Sequence, residues 1–159
     1  MQYTITAPQT INATIALPGS RSFSSGALIT LARSCGDILP QTLSVWDDTE
    51  VIIDAMQRRP YEIDIKGAGT AMRFLTAFLA TQPGEHVITG TDRMKQRPIG
   101  ILVNALRYLG ADIEYLGEEG YPPLRIKGRT LEGGYIEVAG NISSQYISAL
   151  LMIAPTLKN

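Results

Sequence analysis

"GSRSFSSGALITLA", residues 19–32, decides how this chain is read. Small and hydroxylated residues around Arg21 give way abruptly to an apolar run, which is how a loop feeding a buried helix is written. The pattern returns twice, as "GAGTAMRFLTAFLA" from Gly67 and "GNISSQYISALLMIA" from Gly140. Each copy opens on Gly, carries a hydroxyl three residues later (Ser22, Thr70, Ser143), and then runs into an apolar helix. Three related stretches separated by unequal intervals indicate one supersecondary unit repeated, with an insertion in the second copy. The segments 27–32, 74–80 and 147–154 lack a polar face, so three buried helices are expected.

Around these lie amphipathic pieces. "TEVIIDAM" (49–56) follows Asp47 and Asp48, either of which could cap a helix. "IGILVNALRYLG" (99–110) follows Pro98 and stops at Gly110, a residue suited to the left-handed end of a helix. Strands are predicted at 61–65, 86–90, 111–116, 124–128 and 135–139. Helices and strands alternate, which places the chain in the α/β or α+β class.

The whole chain has 159 residues, 45% of them hydrophobic, and a formal net charge of −1. It is long enough for one domain and a real core. The balanced charge gives no reason to expect a nucleic-acid or membrane-surface partner. No apolar run reaches the roughly 18 residues of a membrane span. One cysteine, Cys35, permits no internal disulfide and points to a reducing, cytoplasmic setting. The single histidine, His86, permits no multi-histidine metal site and is expected at the surface. No metal motif, P-loop or dinucleotide fingerprint is present.

A helix N-terminus offers unpaired N–H groups and the positive end of the dipole. Small residues let a ligand approach that backbone, and hydroxyls add donors, a combination suited to phosphate or carboxylate. The plain alternative is that Ser22, Thr70 and Ser143 are ordinary helix caps. Arg21 and Arg73 beside two of the mouths shift the balance toward anion binding. "DRMKQRPIG" (92–100) adds Arg93, Lys95 and Arg97, with Pro98 stiffening the loop that carries Arg97. Arginine grips carboxylate and phosphate in a two-pronged fork.

"AGTAMRFL" (68–75), "RMKQRPIGILVNALRYLGA" (93–111), "YPPLRIKG" (121–128) and "SSQYISALLMIAP" (143–155) together resemble the 5-enolpyruvylshikimate-3-phosphate (EPSP) synthase family. The resemblance runs from about Leu17 to Pro155. It implies a domain of repeated βαβαββ units around buried helices, with residues 1–159 forming one substrate-binding domain whose third unit is incomplete. It also implies transfer of the enolpyruvyl group from phosphoenolpyruvate to the 5-hydroxyl of shikimate 3-phosphate, on the route to chorismate and the aromatic amino acids. In that family a second, C-terminal domain supplies the proton-transfer groups. The resemblance implies no metal or organic cofactor; no catalytic residue is expected in this chain, and the chain alone is expected to be inactive.

Carried over residue by residue, the resemblance gives Arg21 the place of a lysine that meets phosphoenolpyruvate and Ser22 that of a serine on shikimate 3-phosphate. Gly69, beside Thr70, matches a glycine lining the phosphoenolpyruvate site, and Arg97 matches its arginine. Ser143, Ser144 and Gln145 match the serines that hold the 3-phosphate and the glutamine that reaches both substrates. Two positions depart from the pattern. Gly26 stands where an arginine usually pairs with the shikimate carboxylate, and Gly67 stands for an asparagine. Two alternatives remain open at this stage: a non-catalytic anion-binding fragment or degenerate relative, and an enzyme like the UDP-N-acetylglucosamine enolpyruvyl transferases. The apolar helix from Ser144 is expected either to repack or to drive self-association through residues 144–155, most simply as a two-fold homodimer.

Overall fold

Four strands pair in the order β1-β2-β4-β3. They are β1 (Glu62–Asp64), β2 (Gly84–Thr89), β3 (Asp112–Tyr115) and β4 (Leu124–Gly128). The helices are α1 (Arg21–Ser34), α2 (Asp47–Arg58), α3 (Gly69–Ala80), the short α4 (Asp92–Lys95), α5 (Gly100–Tyr108) and α6 (Ser144–Ile153). The computed structural model describes residues 3–4, 6, 10, 12–15, 19–34 and 47–158. The side chains of Arg21, Arg33, Ser34 and Asp47 fall outside that description, as does the segment around Cys35.

β1 and β2 run parallel, joined by α3 as the crossover, with Ile63 opposite Ile88. β4 then inserts antiparallel between β2 and β3, setting Ile88 against Leu124 and Ile113 against Ile126. These five isoleucine and leucine side chains are at most 5% exposed. α3 packs on β2 and β4, and α5 packs on β3. From β1 to β4 the order of major elements is β-α-β-α-β-β, so the middle copy of the repeat is a complete unit. The copies on either side contribute α1 with α2, and α6.

All twelve residues of α3 are buried. α1, α2, α5, α6 and the sheet surround it. A helix enclosed this way must find partners for its polar groups inside the protein. Thr76 Oγ1 donates to the Met72 carbonyl at 2.7 Å, and Arg73 Nη1 donates to the Gly69 carbonyl at 2.8 Å. α1 and α6 are less enclosed than their composition suggests. α6 buries only Tyr146, Ala149 and Ile153, and Leu151 is 66% exposed. The expectation of three fully buried helices therefore holds for one.

Several local expectations change. Residues 135–139 form no strand; their alternation is met by Ile136 and Val138 resting on the core, while Tyr135 is exposed. The pairing in this region is instead a bridge between Glu132 and Lys158. His86 is buried rather than superficial, with its Nδ1 2.8 Å from the Pro60 carbonyl. Asp47 and Asp48 lie within α2 rather than ahead of it. Gly110 does follow the end of α5, with φ at +93°, a conformation that costs glycine little.

Candidate functional site

The three helix mouths are built differently. α1 is capped by Ser20, whose Oγ accepts from the Phe23 amide at 3.4 Å, so Ser22 is freed from capping and exposed in the first turn. α3 follows Ala68, which offers no side-chain cap, and Thr70 lies inside the helix. Only Ser143 caps, accepting from the Gln145 amide at 3.3 Å. The first two copies are thus in register and the third is offset by two residues. The cap reading applies to Ser143 and fails for Ser22 and Thr70.

These mouths converge. Gln145 Nε2 donates to Thr70 Oγ1 at 3.1 Å, joining the first turns of α6 and α3. Ser22, Gly26, Thr30, Phe74, Ser144 and Gln145 line one open groove of about 670 Å³ between α1, α3 and α6. Its polar rim comes from the helix starts and its floor from Phe74 and Met152. Gly26 faces that floor: a Cβ there would stand 3.8 Å from Met152 Sδ and 4.0 Å from Phe74 Cε2. Gly67 is exposed, and a Cβ there would meet nothing.

At the start of α3 a cation leans on bare backbone. The Arg97 guanidinium occupies the space a Gly69 side chain would need, with Arg97 Cζ 2.8 Å and Arg73 Nη1 2.9 Å from an ideal Cβ. Any side chain at this position would have to displace the end of Arg97. Among the described residues Arg97 pairs with no carboxylate, whereas neighbouring Lys95 reaches Asp92 at 3.5 Å. Arg73 is 4% exposed. Burial, and secondarily the charge of Arg97, hold its guanidinium below its ordinary pKa.

Of the residues singled out from sequence, Ser22, Gly26, Ser144 and Gln145 share the groove, while Gly69, Thr70 and Arg97 share the neighbouring α3 mouth. Ser143 is beside them as the cap, Gly67 stands apart, and the role expected of the Arg21 side chain lies outside the described residues. Sequence reasoning gave no place to Tyr146. Its hydroxyl donates to the Pro98 carbonyl at 2.8 Å, and Arg73 Nη2 donates to the same oxygen at 3.3 Å. The signal was a tyrosine in an otherwise aliphatic helix, since a buried tyrosine needs a partner for its hydroxyl.

Among the described residues no group of three or more His, Cys, Asp or Glu could hold a metal ion, and no helix is long and apolar enough to cross a membrane. Hydroxyls at helix starts line the groove and an unopposed guanidinium lies at the neighbouring α3 mouth, an arrangement that suits a ligand carrying separated anionic groups.

Comparison with known proteins identifies the family. Residues 33–159 match the family model described as EPSP synthase (3-phosphoshikimate 1-carboxyvinyltransferase). A 3-phosphoshikimate 1-carboxyvinyltransferase of Bacteroides fragilis is 62% identical over 159 residues, covering 100% of this chain and 39% of the relative. One from Colwellia psychrerythraea is 41% identical over 174 residues, covering 93% of this chain and 41% of its own. The chain thus spans about two fifths of the length of these relatives. The solved EPSP synthase from Acinetobacter baumannii superposes with a TM-score of 0.78 at 23% identity, over 90% of this chain and 38% of that one, and so shows the fold. The converging helix mouths, the complete βαβαββ unit and a family match over most of the sequence lead to one conclusion: this chain belongs to the EPSP synthase, or 3-phosphoshikimate 1-carboxyvinyltransferase, family.

Proposed function

We propose that this chain is a substrate-binding domain of an enzyme that transfers the enolpyruvyl group from phosphoenolpyruvate to the 5-hydroxyl of shikimate 3-phosphate. The 5-hydroxyl oxygen gives up its proton and bonds to C2 of phosphoenolpyruvate while the methylene carbon takes a proton to become a methyl group. Loss of one methyl proton and of phosphate from the tetrahedral intermediate then forms the enol ether. The observation that carries the reading is the meeting of three helix starts beside an unopposed arginine. Ser22, Ser144 and Gln145 take shikimate 3-phosphate, with Ser143 shaping the turn that presents them. Gly69, Thr70 and Arg97 take phosphoenolpyruvate. Residues 1–159 act as one domain, in the cytoplasm, and the proton-transfer groups come from the C-terminal domain that closes over the cleft and excludes water.

Gly26 favours a second reading, a domain that binds the anion without supporting turnover, because it leaves the groove without a cation at that position. Self-association also belongs here: a second copy of the chain would cover the apolar groove between residues 134–138 and Leu150 and Leu151.

Calorimetry separates these roles. The chain alone binds shikimate 3-phosphate and turns nothing over. Ser144→Ala weakens that binding by about 1–3 kcal/mol at unchanged stability. Ser143→Ala costs about 0.5–2 kcal/mol of stability as a lost cap. Unchanged affinity in folded Ser144→Ala removes the 3-phosphate assignment; turnover by the purified chain removes the division between domains. Light scattering over a concentration series reads the dimer, and a strict monomer excludes it.

A further inference from the structure

The Pro98 carbonyl oxygen takes side-chain donors from two helices, Arg73 Nη2 of α3 and the Tyr146 hydroxyl of α6. Both side chains are buried, at 4% and 2% exposure, and the Arg73 guanidinium carbon stands 5.7 Å from the centre of the Tyr146 ring. A buried guanidinium is costly unless its donors are used, and here Nη1 holds the Gly69 carbonyl, Nη2 holds Pro98, and Nε has no partner. The carbonyl they share lies one residue beyond Arg97. The turn is also anchored on either side, by the Arg97 amide on the Met94 carbonyl at 3.0 Å and the Ile99 amide on the Gly120 carbonyl at 2.9 Å. The exposed Arg97 guanidinium has no ion pair of its own among the described residues to fix it over Gly69. Its backbone must do so.

We propose that Arg73 and Tyr146 are positioning residues for Arg97: by clamping the Pro98 carbonyl from α3 and α6, they fix the turn that lays the Arg97 guanidinium on Gly69. The clamp ties the turn to α6, whose first turn carries Ser144 and Gln145. Undocking α6 therefore loosens the cation as well as the hydroxyls. The ligand consequence rests on the anion-site reading given above; the geometric one stands without it.

Tyr146→Phe is the informative change, since it removes one donor and keeps the ring. The Gly69 amide resonance of the unliganded chain serves as the reporter, with Arg97→Gln as reference. Tyr146→Phe is expected to move that resonance in the direction Arg97→Gln moves it. It is also expected to weaken phosphoenolpyruvate binding about threefold to tenfold. Shikimate 3-phosphate binding stays unchanged, and no further loss of phosphoenolpyruvate binding appears in an Arg97→Gln background. Arg73→Lys keeps the charge but not both bonds and shifts the resonance similarly; if that variant fails to fold, Tyr146→Phe still decides. A Gly69 resonance that ignores either Tyr146→Phe or Arg97→Gln overturns the proposal. Equal weakening of both ligands by Tyr146→Phe overturns it too. A wild-type chain that binds no phosphoenolpyruvate overturns the anion-site reading, and the amide comparison alone then decides the clamp.

Discussion

Helices α3 and α6 are written in nearly the same alphabet and live in different surroundings. α3 is wrapped by four helices and the sheet, and every residue in it is buried. α6 packs chiefly on α3, with lesser contact to α1 and α5, leaving Ile147 and Leu151 at the surface. The difference teaches that an apolar circumference records how much burial a helix can accept, while its neighbours decide how much it receives. Truncations on the two helices test this most strongly. Leu75→Ala on α3, fully buried, is expected to cost about 2–5 kcal/mol by urea denaturation. Leu151→Ala on α6 is expected to stay within about 0.5 kcal/mol. Similar costs at the two positions would mean that α6 is covered in solution, by repacking or by a second copy of the chain.

The two helices also begin differently, and this bears on how the site was read. Sequence showed three mouths with hydroxyls at a constant offset from glycine. It could not show that Ser20 would cap α1, that Thr70 would bond Gln145 instead of its own helix, or that of the three hydroxyls only Ser143 would cap. Ser143 differs because its helix begins two residues later, relative to the copy's glycine, than the other two do. The stop of α5 before Gly110 and the exact span of β4 were legible, because local periodicity and Gly110 determine them, whereas the βαβαββ order came from the family resemblance. Residues 135–139 alternate as a strand does, yet no adjacent strand accepts their ladder among the described residues. The burial of His86 was not legible because it depends on a contact with the Pro60 carbonyl, 26 residues away in sequence. Tyr146 and Arg73 were beyond reach as a pair: what joins them is a carbonyl of the 96–99 turn, far from either in sequence.

Gly69→Ala sharpens the contrast between the two mouths. The new Cβ would displace the end of a flexible side chain, Arg97, and crowd Arg73. Stability should change by no more than about 1 kcal/mol, since alanine is the better helix former. Phosphoenolpyruvate affinity should fall by about 1.5–3 kcal/mol, the worth of a charge-assisted bond. Titration of the folded variant reads both the site and its independence from fold stability. An unaltered affinity would mean that the guanidinium acts equally well from a displaced position.

The smallest expected effect lies on α1, where Gly26 meets both helices' side chains. A Cβ there makes ordinary contacts with Phe74 of α3 and Met152 of α6, and the backbone is that of a helix interior. Nothing in the packing therefore demands glycine. Gly26→Ala should stabilise the chain by about 0.4–1 kcal/mol, largely by restricting the unfolded state, and the denaturation midpoint should rise without a change in slope. The same geometry bears on the arginine that relatives are expected to carry at this position. A long side chain leaving Gly26 must pass Phe74 and Met152 before its charge can reach the Ser22 and Ser144 rim. If Gly26→Arg tightens shikimate 3-phosphate binding, the side chain runs along that floor into the groove, and glycine is a lost cation. If affinity holds while Gly26→Ala stabilises as expected, position 26 belongs to the packing between α3 and α6, and the anion is held from the helix starts alone.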